Sequence, residues 1–295
     1  MTASTSGASG LVVVDKPAGM TSHDVVARVR RIAGTRKVGH AGTLDPMATG
    51  VLVLGINKAT RLLGHLMLTE KQYDGTVRLG ASTTTDDAEG ESLGQSATGS
   101  LTEQDVRATA ERFVGDIDQV PSAVSAIKVD GERAYKRVRA GESVDLPARP
   151  VTVHALEVTA LRRTGDFLDV DISVRCSSGT YIRALARDLG FLLGVGGHLV
   201  SLRRTAVGPF RLDEARTLDQ LGDAFQMVPV DDVAARCFAT YTVDDQGARD
   251  VSFGRKLPLE LGATGPVAML DAQGGFLALY EQRGAVAAPV AVFTG

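Results

Sequence analysis

The chain has 295 residues, 44% of them hydrophobic and 23% charged, and its net charge is −3 at pH 7. This composition is typical of a globular protein with two domains, or with one large domain and an appendage. No apolar stretch is long enough to span a bilayer, and the opening MTASTSGASG lacks the features of a signal peptide. The widely separated Cys176 and Cys237 argue against a disulfide framework or a zinc site, so we expect a cytoplasmic protein.

The first part of the sequence alternates between short apolar runs and amphipathic segments. LVVVD at 11–15 is rich in β-branched residues and predicts a strand. The helix that follows begins after Thr21 or Ser22, either of which can cap it, and ends at Gly34. Similar patterns predict strands at 51–56 and 71–80, a helical segment at 58–68, and a helix from Thr102 to about residue 114.

The second part begins with a segment of different composition. Residues 120–150 are rich in proline, glycine and basic residues, which predicts an inserted arm rather than part of the core. A hairpin is predicted at 154–179, where FLDVDISVRC alternates between apolar and polar residues. A helix at 180–194 and a strand with a turn at 198–210 follow. Beyond residue 235, glycines separate short apolar runs, which predicts a small β-barrel or sheet domain.

Positive charge is concentrated in two segments, although the whole chain is slightly acidic. RVRRIAGTRK at 28–37 and RAYKRVR at 133–139 contain no acidic residue. Such clusters can follow a phosphate backbone even on a protein of negative net charge. The alternative interpretation of either segment is a solvated helix face.

The loop VGHAGTLDPMATG, residues 38–50, holds one carboxylate, Asp45, directly before a proline. A residue before proline is displaced from the α region, and the loop's glycines permit close backbone approach. Asp45 is therefore expected to project from a stiff loop with little bulk around it. Two interpretations stay open here: Asp45 caps the bend as an Asx-turn, or it is a reactive group.

Five blocks of the sequence, taken in order, resemble the TruB family of tRNA pseudouridine synthases. The block KVGHAGTLDPMATGVLVLG is similar to the family signature. The other blocks are VVVDKPAGMTSHDVV, YDGTVRLGASTTTDDAEGE, VPSAVSAIKVDGERAYKRVRAGE, and CSSGTYIRALARDLG followed by GGHLVSLRRTAVGPF. Together they cover most of residues 11–210. Segment 235–295 resembles a PUA-like module, chiefly through GRKLPLELGATGPVAMLDAQGGFLALYE.

The resemblance implies an α+β fold with a mixed, largely antiparallel sheet flanked by helices. It implies a disordered tail at 1–10, a catalytic domain at 11–234 with an RNA-contacting arm at about 120–150, and a PUA-like RNA-binding domain at 235–295. The implied partner is tRNA, recognised through the shape and splayed bases of its T-arm stem-loop. We expect a monomer with no obligate protein partner and no membrane association.

The implied activity is isomerisation of one uridine in the T-arm loop, position 55, to pseudouridine. This reaction breaks the N1–C1′ bond, turns the base and rejoins it through C5, so it requires no cofactor and no metal. It does require a carboxylate beside C1′ or C6, a role that the resemblance assigns to Asp45. The order of steps stays open between attack on C1′, attack on C6 and elimination. Assistance in tRNA folding is a further expectation.

The resemblance assigns roles to six other residues. Arg183 is expected to pair with the catalytic carboxylate and keep it ionised. Tyr73 is expected to stack on the target uracil and to take part in proton transfer from C5. His40 is expected to occupy space near the flipped nucleotide. Tyr181 is expected to line the pocket or to pack the start of the helix, and Leu202 to form an apolar wall of the uracil pocket or part of the core. Lys16 is expected to contact phosphate or to support the active-site loop.

The sequence departs from the family pattern in two places, both expected to affect RNA affinity rather than activity. Ser178 stands where a basic residue is common, and two prolines often precede the arm segment that begins here as VPSAVSAIKVDG. One alternative function is an RNA-binding or tRNA-folding protein whose catalytic activity is secondary or lost. The presence of Asp45, Tyr73 and Arg183 together argues against a lost activity. Another is a glycoside hydrolase, which usually needs a second acid that the loop lacks.

Overall fold

The computed structural model describes residues 7–123, 128–129, 132–133 and 146–294. Most of the arm predicted at 120–150 lies outside these ranges, as do residues 1–6 of the predicted tail. Within the described part of the chain, no helix combines the length and hydropathy that crossing a membrane requires.

The helices are short, and capping side chains fix where several of them begin. The Thr21 hydroxyl accepts a hydrogen bond from the Asp24 N–H, while the Asp24 carboxylate accepts one from the Thr21 N–H. This reciprocal cap starts the first helix, and Gly34 ends it at a φ of 65°. The helices are Ser22–Ala33 (α1), Leu63–Met67 (α2), Glu103–Glu111 (α3), Ile182–Leu192 (α4), Leu218–Asp223 (α5), Val230–Cys237 (α6) and Asp245–Ser252 (α7).

The strands of the N-terminal two thirds and of the C-terminal segment form separate sheets. In chain order they are Gly10–Lys16 (β1), Val38–His40 (β2), Thr49–Ile56 (β3), Lys71–Leu79 (β4), Ala81–Thr83 (β5), Ser92–Gln95 (β6), Gly115–Gln119 (β7), Lys128–Val129 (β8), Glu132–Arg133 (β9), Arg149–Thr164 (β10), Phe167–Cys176 (β11), Gly197–Val207 (β12), Phe210–Arg211 (β13), Val228–Pro229 (β14), Ala239–Thr242 (β15), Val267–Leu270 (β16), Phe276–Arg283 (β17) and Val286–Val292 (β18).

One large sheet organises the fold. Its strand order is β14-β1-β3-β12-β4-β11-β10-β7, with β2 beside β3 and β13 beside β12. The β3–β12 pair is parallel and the other pairs are antiparallel, which confirms the predicted mixed, largely antiparallel sheet. Buried residues of α1, α3 and α4 pack with those of the sheet in one core, represented by Val25, Val106, Leu185 and Val170. The fold is therefore α+β, with helices flanking the sheet.

Three predicted elements differ from the structure at their ends. The helical segment predicted at 58–68 begins as a 3-10 helix, Asn57–Leu62, before α2. Helix α3 ends at Glu111 rather than near 114, because the chain must turn to reach β7 at Gly115. The hairpin begins at Arg149 rather than 154, because the start of β10 also pairs with β7.

The C-terminal segment forms a four-stranded sheet in the order β15-β16-β17-β18. The small β domain predicted there is therefore present. Its residues Phe276, Leu279 and Phe293 pack in one core with Val51 and Val53 of β3. The large sheet and the C-terminal sheet thus share apolar contacts, and the C-terminal sheet supports the strand that follows the Asp45 loop.

Candidate active site

The loop between β2 and β3 carries Asp45 and is supported by a buried lysine. Lys16, at the end of β1, is fully buried. Its ammonium donates hydrogen bonds to the carbonyl oxygens of Pro17, Met20 and Pro46 at 2.8, 2.6 and 3.2 Å. Burial lowers the pKa of Lys16 to about 8. These contacts tie the end of β1 to the turn that follows Asp45.

Ser22 holds the loop immediately before Asp45. Its buried hydroxyl accepts a hydrogen bond from the Leu44 N–H at 2.8 Å and donates one to the Leu44 carbonyl at 3.1 Å. The turn itself is closed by the backbone, since the Ala48 N–H donates to the Asp45 carbonyl at 3.1 Å. The Asp45 carboxylate faces Arg183 rather than the backbone of the turn.

Asp45, Arg183 and Asp87 form a row of ion pairs. Oδ2 of Asp45 lies 2.9 Å from Nε of Arg183, and Nη1 of Arg183 lies 3.3 Å from Oδ2 of Asp87. Nη1 also donates to the Thr85 carbonyl at 2.9 Å. The side chains of Arg183 and Asp87 are each 5% exposed, whereas that of Asp45 is 40% exposed. A buried guanidinium with several partners keeps its orientation, so Asp45 is held in place while remaining accessible.

The turn between β11 and α4 places Arg183. Gly179 adopts a φ of 90°, which favours glycine at this reversal of the chain. The Gln119 side chain of β7 accepts a hydrogen bond from the Tyr181 N–H at 2.8 Å and donates one to the Tyr181 carbonyl at 3.1 Å. Gln119 thereby fixes the start of α4, and Arg183, its second residue, reaches the Asp45 loop.

Tyr73 lies on β4 and is almost completely buried. It is opposite Arg204 of β12 in the sheet register, and the positive charge of the Arg204 guanidinium acts on its phenol. Burial raises the pKa of Tyr73, an effect that Arg204 opposes in part. The phenol therefore remains protonated at neutral pH.

Arg204 also supports the Asp45 loop. This buried guanidinium donates hydrogen bonds to the carbonyls of Val51, Thr43 and Gly42 at 2.7, 3.1 and 3.3 Å. The end of the loop approaches Arg204 closely at Gly50, where a Cβ would lie 2.2 Å from the Arg204 carbonyl oxygen and φ is 98°. Arg204 therefore links the aromatic side of the site to the carboxylate side.

These side chains surround a cavity of about 170 Å³. Its lining includes five predicted site residues, Asp45, Tyr73, Arg183, Tyr181 and Leu202. Sites for drug-sized ligands are roughly 300–1,000 Å³, so this cavity suits a single small ring. A larger cavity, of about 660 Å³, lies between α1 and α5 and does not include Asp45.

The structure places His40 and Lys16 beside the cavity lining rather than in it. The ring of His40 meets that of His23 edge to face, with ring centres 5.6 Å apart. Burial, followed by the charges of His23 and Arg204, lowers the pKa of His40. The Lys16 ammonium is occupied by three carbonyls, which favours support of the loop over contact with phosphate.

Sequence reasoning missed three polar residues of this site: Asp87, Arg204 and Lys71. Asp87 lies in TTTDDAEGE, where composition alone does not distinguish it from its neighbour Asp86. Arg204 is the second arginine of a pair, and only the strand register shows which one faces the site. Lys71 precedes Tyr73 by two residues on β4, so strict strand alternation could have identified it.

The site offers a carboxylate with a fixed cationic partner beside an aromatic ring. Among the described residues, no three His, Cys, Asp or Glu side chains come together as a metal site. An accessible carboxylate of this kind can attack an electrophilic carbon or stabilise a developing positive charge.

Three family models match consecutive parts of the chain. The TruB family pseudouridylate synthase N-terminal domain matches residues 30–182. The tRNA pseudouridylate synthase B C-terminal domain matches residues 183–236. The C-terminal domain of tRNA pseudouridine synthase II matches residues 238–294.

Full-length relatives and a solved structure agree with these matches. The chain is 56% identical to tRNA pseudouridine synthase B of Arthrobacter sp. (strain FB24), over 97% of this chain and 96% of that protein. It is also 56% identical to tRNA pseudouridine synthase B of Thermobifida fusca (strain YX), over 98% of this chain and 99% of that protein. A chain in the structure of an H/ACA RNP bound to a substrate RNA containing 2'-deoxyuridine is 27% identical to this chain, with a TM-score of 0.73. The match covers 97% of this chain and 85% of that chain. The chain belongs to the TruB family of pseudouridylate synthases.

Proposed function

We propose that this enzyme converts the uridine at position 55, in the T-arm loop of tRNA, to pseudouridine, with Asp45 as the catalytic carboxylate. The observation that carries the proposal is the accessible Asp45 carboxylate, 2.9 Å from a buried Arg183, in a cavity that suits one base. The tRNA substrate is supported by the names of relatives that are 56% identical over almost the whole chain.

The target base must leave its stack to enter the cavity. There the ring of Tyr73 offers an aromatic face for stacking on uracil, and Leu202 offers an apolar wall. Tyr181 lines the same space at the start of α4. His40, with a lowered pKa, offers a neutral ring near the loop for the space that the flipped nucleotide leaves.

In the proposed reaction Asp45 acts on the uridine while Arg183, with its Nε 2.9 Å from the carboxylate, holds that carboxylate in orientation. The N1–C1′ bond breaks, the base turns, and a C5–C1′ bond forms. C5 then loses its proton and N1 gains one, so the product is an isomer of the substrate. Because Tyr73 stays protonated before reaction, its phenol donates the proton that N1 gains, and the resulting phenolate takes the proton that C5 loses.

The rest of the tRNA is proposed to contact surfaces outside the cavity. Residues 11–234 would form the catalytic domain, and residues 235–295 would bind the acceptor region. Exposed Arg28 and Arg31 of α1 and the basic arm at about 120–150 would contact phosphates. We propose a cytoplasmic monomer that also assists tRNA folding.

The proposal is tested by Asp45→Asn, which removes the negative charge with little change in shape. Conversion of uridine in a T-arm stem-loop transcript is expected to fall below detection, while the Kd for the transcript stays within a few-fold. Asp223→Asn serves as the matched control, because Asp223 is an exposed residue at the end of α5. That control is expected to turn over like the parent.

Two outcomes would contradict the assignment. Turnover by Asp45→Asn at the parental rate would show that another group does the chemistry. Loss of transcript binding together with a lowered Tm would indicate that Asp45 has a structural role in the turn.

A further inference from the structure

The turn from α2 to β4, residues 67–71, borders the mouth of the active-site cavity. Met67 and Lys71 line the cavity from this turn, and Ser178 lines it from the turn before α4. Met67 is 45% exposed and the adjacent Leu68 is 77% exposed. Single exposed apolar residues are common on protein surfaces, but two in succession at the edge of an active site indicate a contact with another molecule.

Hydrogen bonds from two elements converge on the Met67 carbonyl. The ammonium of Lys71 donates to it at 2.6 Å, and the Ser178 hydroxyl donates to it at 2.6 Å. Lys71 also donates to the Thr69 carbonyl at 2.6 Å, and the Thr69 hydroxyl donates to the Leu66 carbonyl at 2.7 Å. The backbone that presents Met67 and Leu68 is therefore fixed from within the turn and from the facing turn.

The far end of the turn is fixed as well, through Glu70. Its carbonyl accepts a hydrogen bond from the Gly208 N–H at 2.9 Å. Its carboxylate lies 3.1 Å from Nη1 of Arg175 and 3.2 Å from Nε2 of His154. Because this backbone is already ordered, a ligand that covers Met67 and Leu68 has to immobilise only their side chains and not the turn.

We propose that Met67 and Leu68 form an apolar lip that packs on the RNA substrate. Met67 covers the uridine in the cavity, and Leu68 packs on the unpaired base next to it. The inference rests on the proposed function, since an unpaired RNA base offers the apolar face that such side chains can cover.

Lys71 and Ser178 are positioning residues for this lip, because both act through the Met67 carbonyl. The inference also gives the Ser178 hydroxyl a role in the site. This neutral hydroxyl supports the turn that carries the lip.

The lip is tested by two substitutions of similar size and opposite polarity. Met67→Gln is expected to lower kcat/KM for a T-arm stem-loop about tenfold, chiefly through KM, whereas Met67→Leu stays within twofold of the parent. Both variants should keep the parental Tm, because the side chain is half exposed. Phe191→Gln is the matched control, since Phe191 is 78% exposed at the end of α4 and outside the cavity lining, and it should not change kcat/KM.

Equal kcat/KM for Met67→Gln and Met67→Leu would overturn the inference. Its failure is distinguishable from failure of the proposed function, which is judged by Asp45→Asn. If Asp45→Asn is inactive and Met67→Gln is fully active, only the proposal of the lip is wrong. If Asp45→Asn is active, the assignment of Asp45 as the catalytic carboxylate is wrong.

The positioning role is tested by double-mutant cycles. Ser178→Ala and Lys71→Met are each expected to lower kcat/KM several-fold in the parent, but to have almost no further effect in the Met67→Ala background. Additive effects would show that they do not act through Met67. Should Lys71→Met fail to fold, the cycle with Ser178→Ala decides the point, because Ser178 is only partly buried.

Discussion

Two buried lysines support different parts of the active site. Lys16 is fully buried and donates to three carbonyls around the Asp45 turn. Lys71 is 6% exposed and donates to two carbonyls of the turn that presents Met67. Burial lowers the pKa of each to about 8.

The difference between these regions lies in what each lysine holds. Lys16 fixes the backbone beside a carboxylate that must meet a reacting carbon, where small displacements lower the rate strongly. Lys71 fixes the backbone below apolar side chains, whose contacts tolerate larger displacement. The same group, an ammonium bound by carbonyls, should therefore affect catalysis in one region and substrate binding in the other.

The largest expected effect comes from Lys16→Met, which keeps the volume but removes three hydrogen bonds. Each carbonyl left without a donor in a buried site costs about 1–3 kcal/mol, although solvent can reach some of these oxygens. We expect the free energy of unfolding to fall by about 3 kcal/mol and kcat to fall more than a hundredfold. Urea unfolding and single-turnover kinetics on the stem-loop measure the two effects.

Two variants sharpen this prediction. Lys256→Met, in the exposed part of the C-terminal segment, controls for loss of a lysine and should leave both quantities unchanged. Lys71→Met should act mainly on KM rather than kcat. If Lys16→Met and Lys71→Met alter kcat and KM in the same proportion, the distinction between the two regions is wrong.

A smaller effect is expected from Ser22→Ala. The change leaves the buried N–H and carbonyl of Leu44 without their partner, which costs about 2 kcal/mol. Since Leu44 directly precedes Asp45, kcat should fall about tenfold with little change in KM. Ser178→Ala, the equivalent loss of a serine at the lip, should instead raise KM. A normal kcat for Ser22→Ala would show that the carboxylate tolerates movement of its loop.

Local chemistry made much of this fold predictable from the sequence. The caps at Thr21 and Gly34, and the β-branched runs of β1 and β3, specify their elements through residues close in sequence. The end of α3 and the start of β10 were misplaced because each depends on β7, which pairs with β10 from a distance along the chain. Tertiary pairing of this kind overrides local preference.

The candidate site was predictable only in part, for a related reason. Asp45 and Arg183 lie in blocks whose resemblance is specific, and the structure brings them within 2.9 Å of each other. Arg204 and Asp87 gain their contacts from strand register and from a turn packed against α4, neither of which a short motif contains. Lys16 illustrates the same limit, because a lysine beside a glycine-rich loop gives no sign that carbonyls occupy its ammonium.

The smallest expected effect is a pH dependence that isolates Lys71. Its pKa is about 8 in the folded protein against 10.5 for an ordinary lysine. Between these values the unfolded chain holds a proton that the folded chain has released, so the contribution of Lys71 to stability rises with pH and is lost as pH falls through 8. Cys176, whose pKa burial raises to about 11 and the Lys71 charge lowers in part, keeps its proton between pH 8 and pH 9 in both proteins. Groups that do not interact with Lys71 are common to the parent and to Lys71→Met and cancel in their difference.

Measured by urea unfolding, the parent should therefore gain about 1 kcal/mol of stability relative to Lys71→Met between pH 8 and pH 9. Lys16 is present in both proteins, so the difference reports the lip region alone. The same measurement on Lys16→Met gives the value for the loop region, where nearby Asp45 and Glu89 raise the pKa against the effect of burial. A difference that stays constant from pH 8 to pH 9 would mean that the Lys71 ammonium is as well solvated in the folded protein as in the unfolded chain.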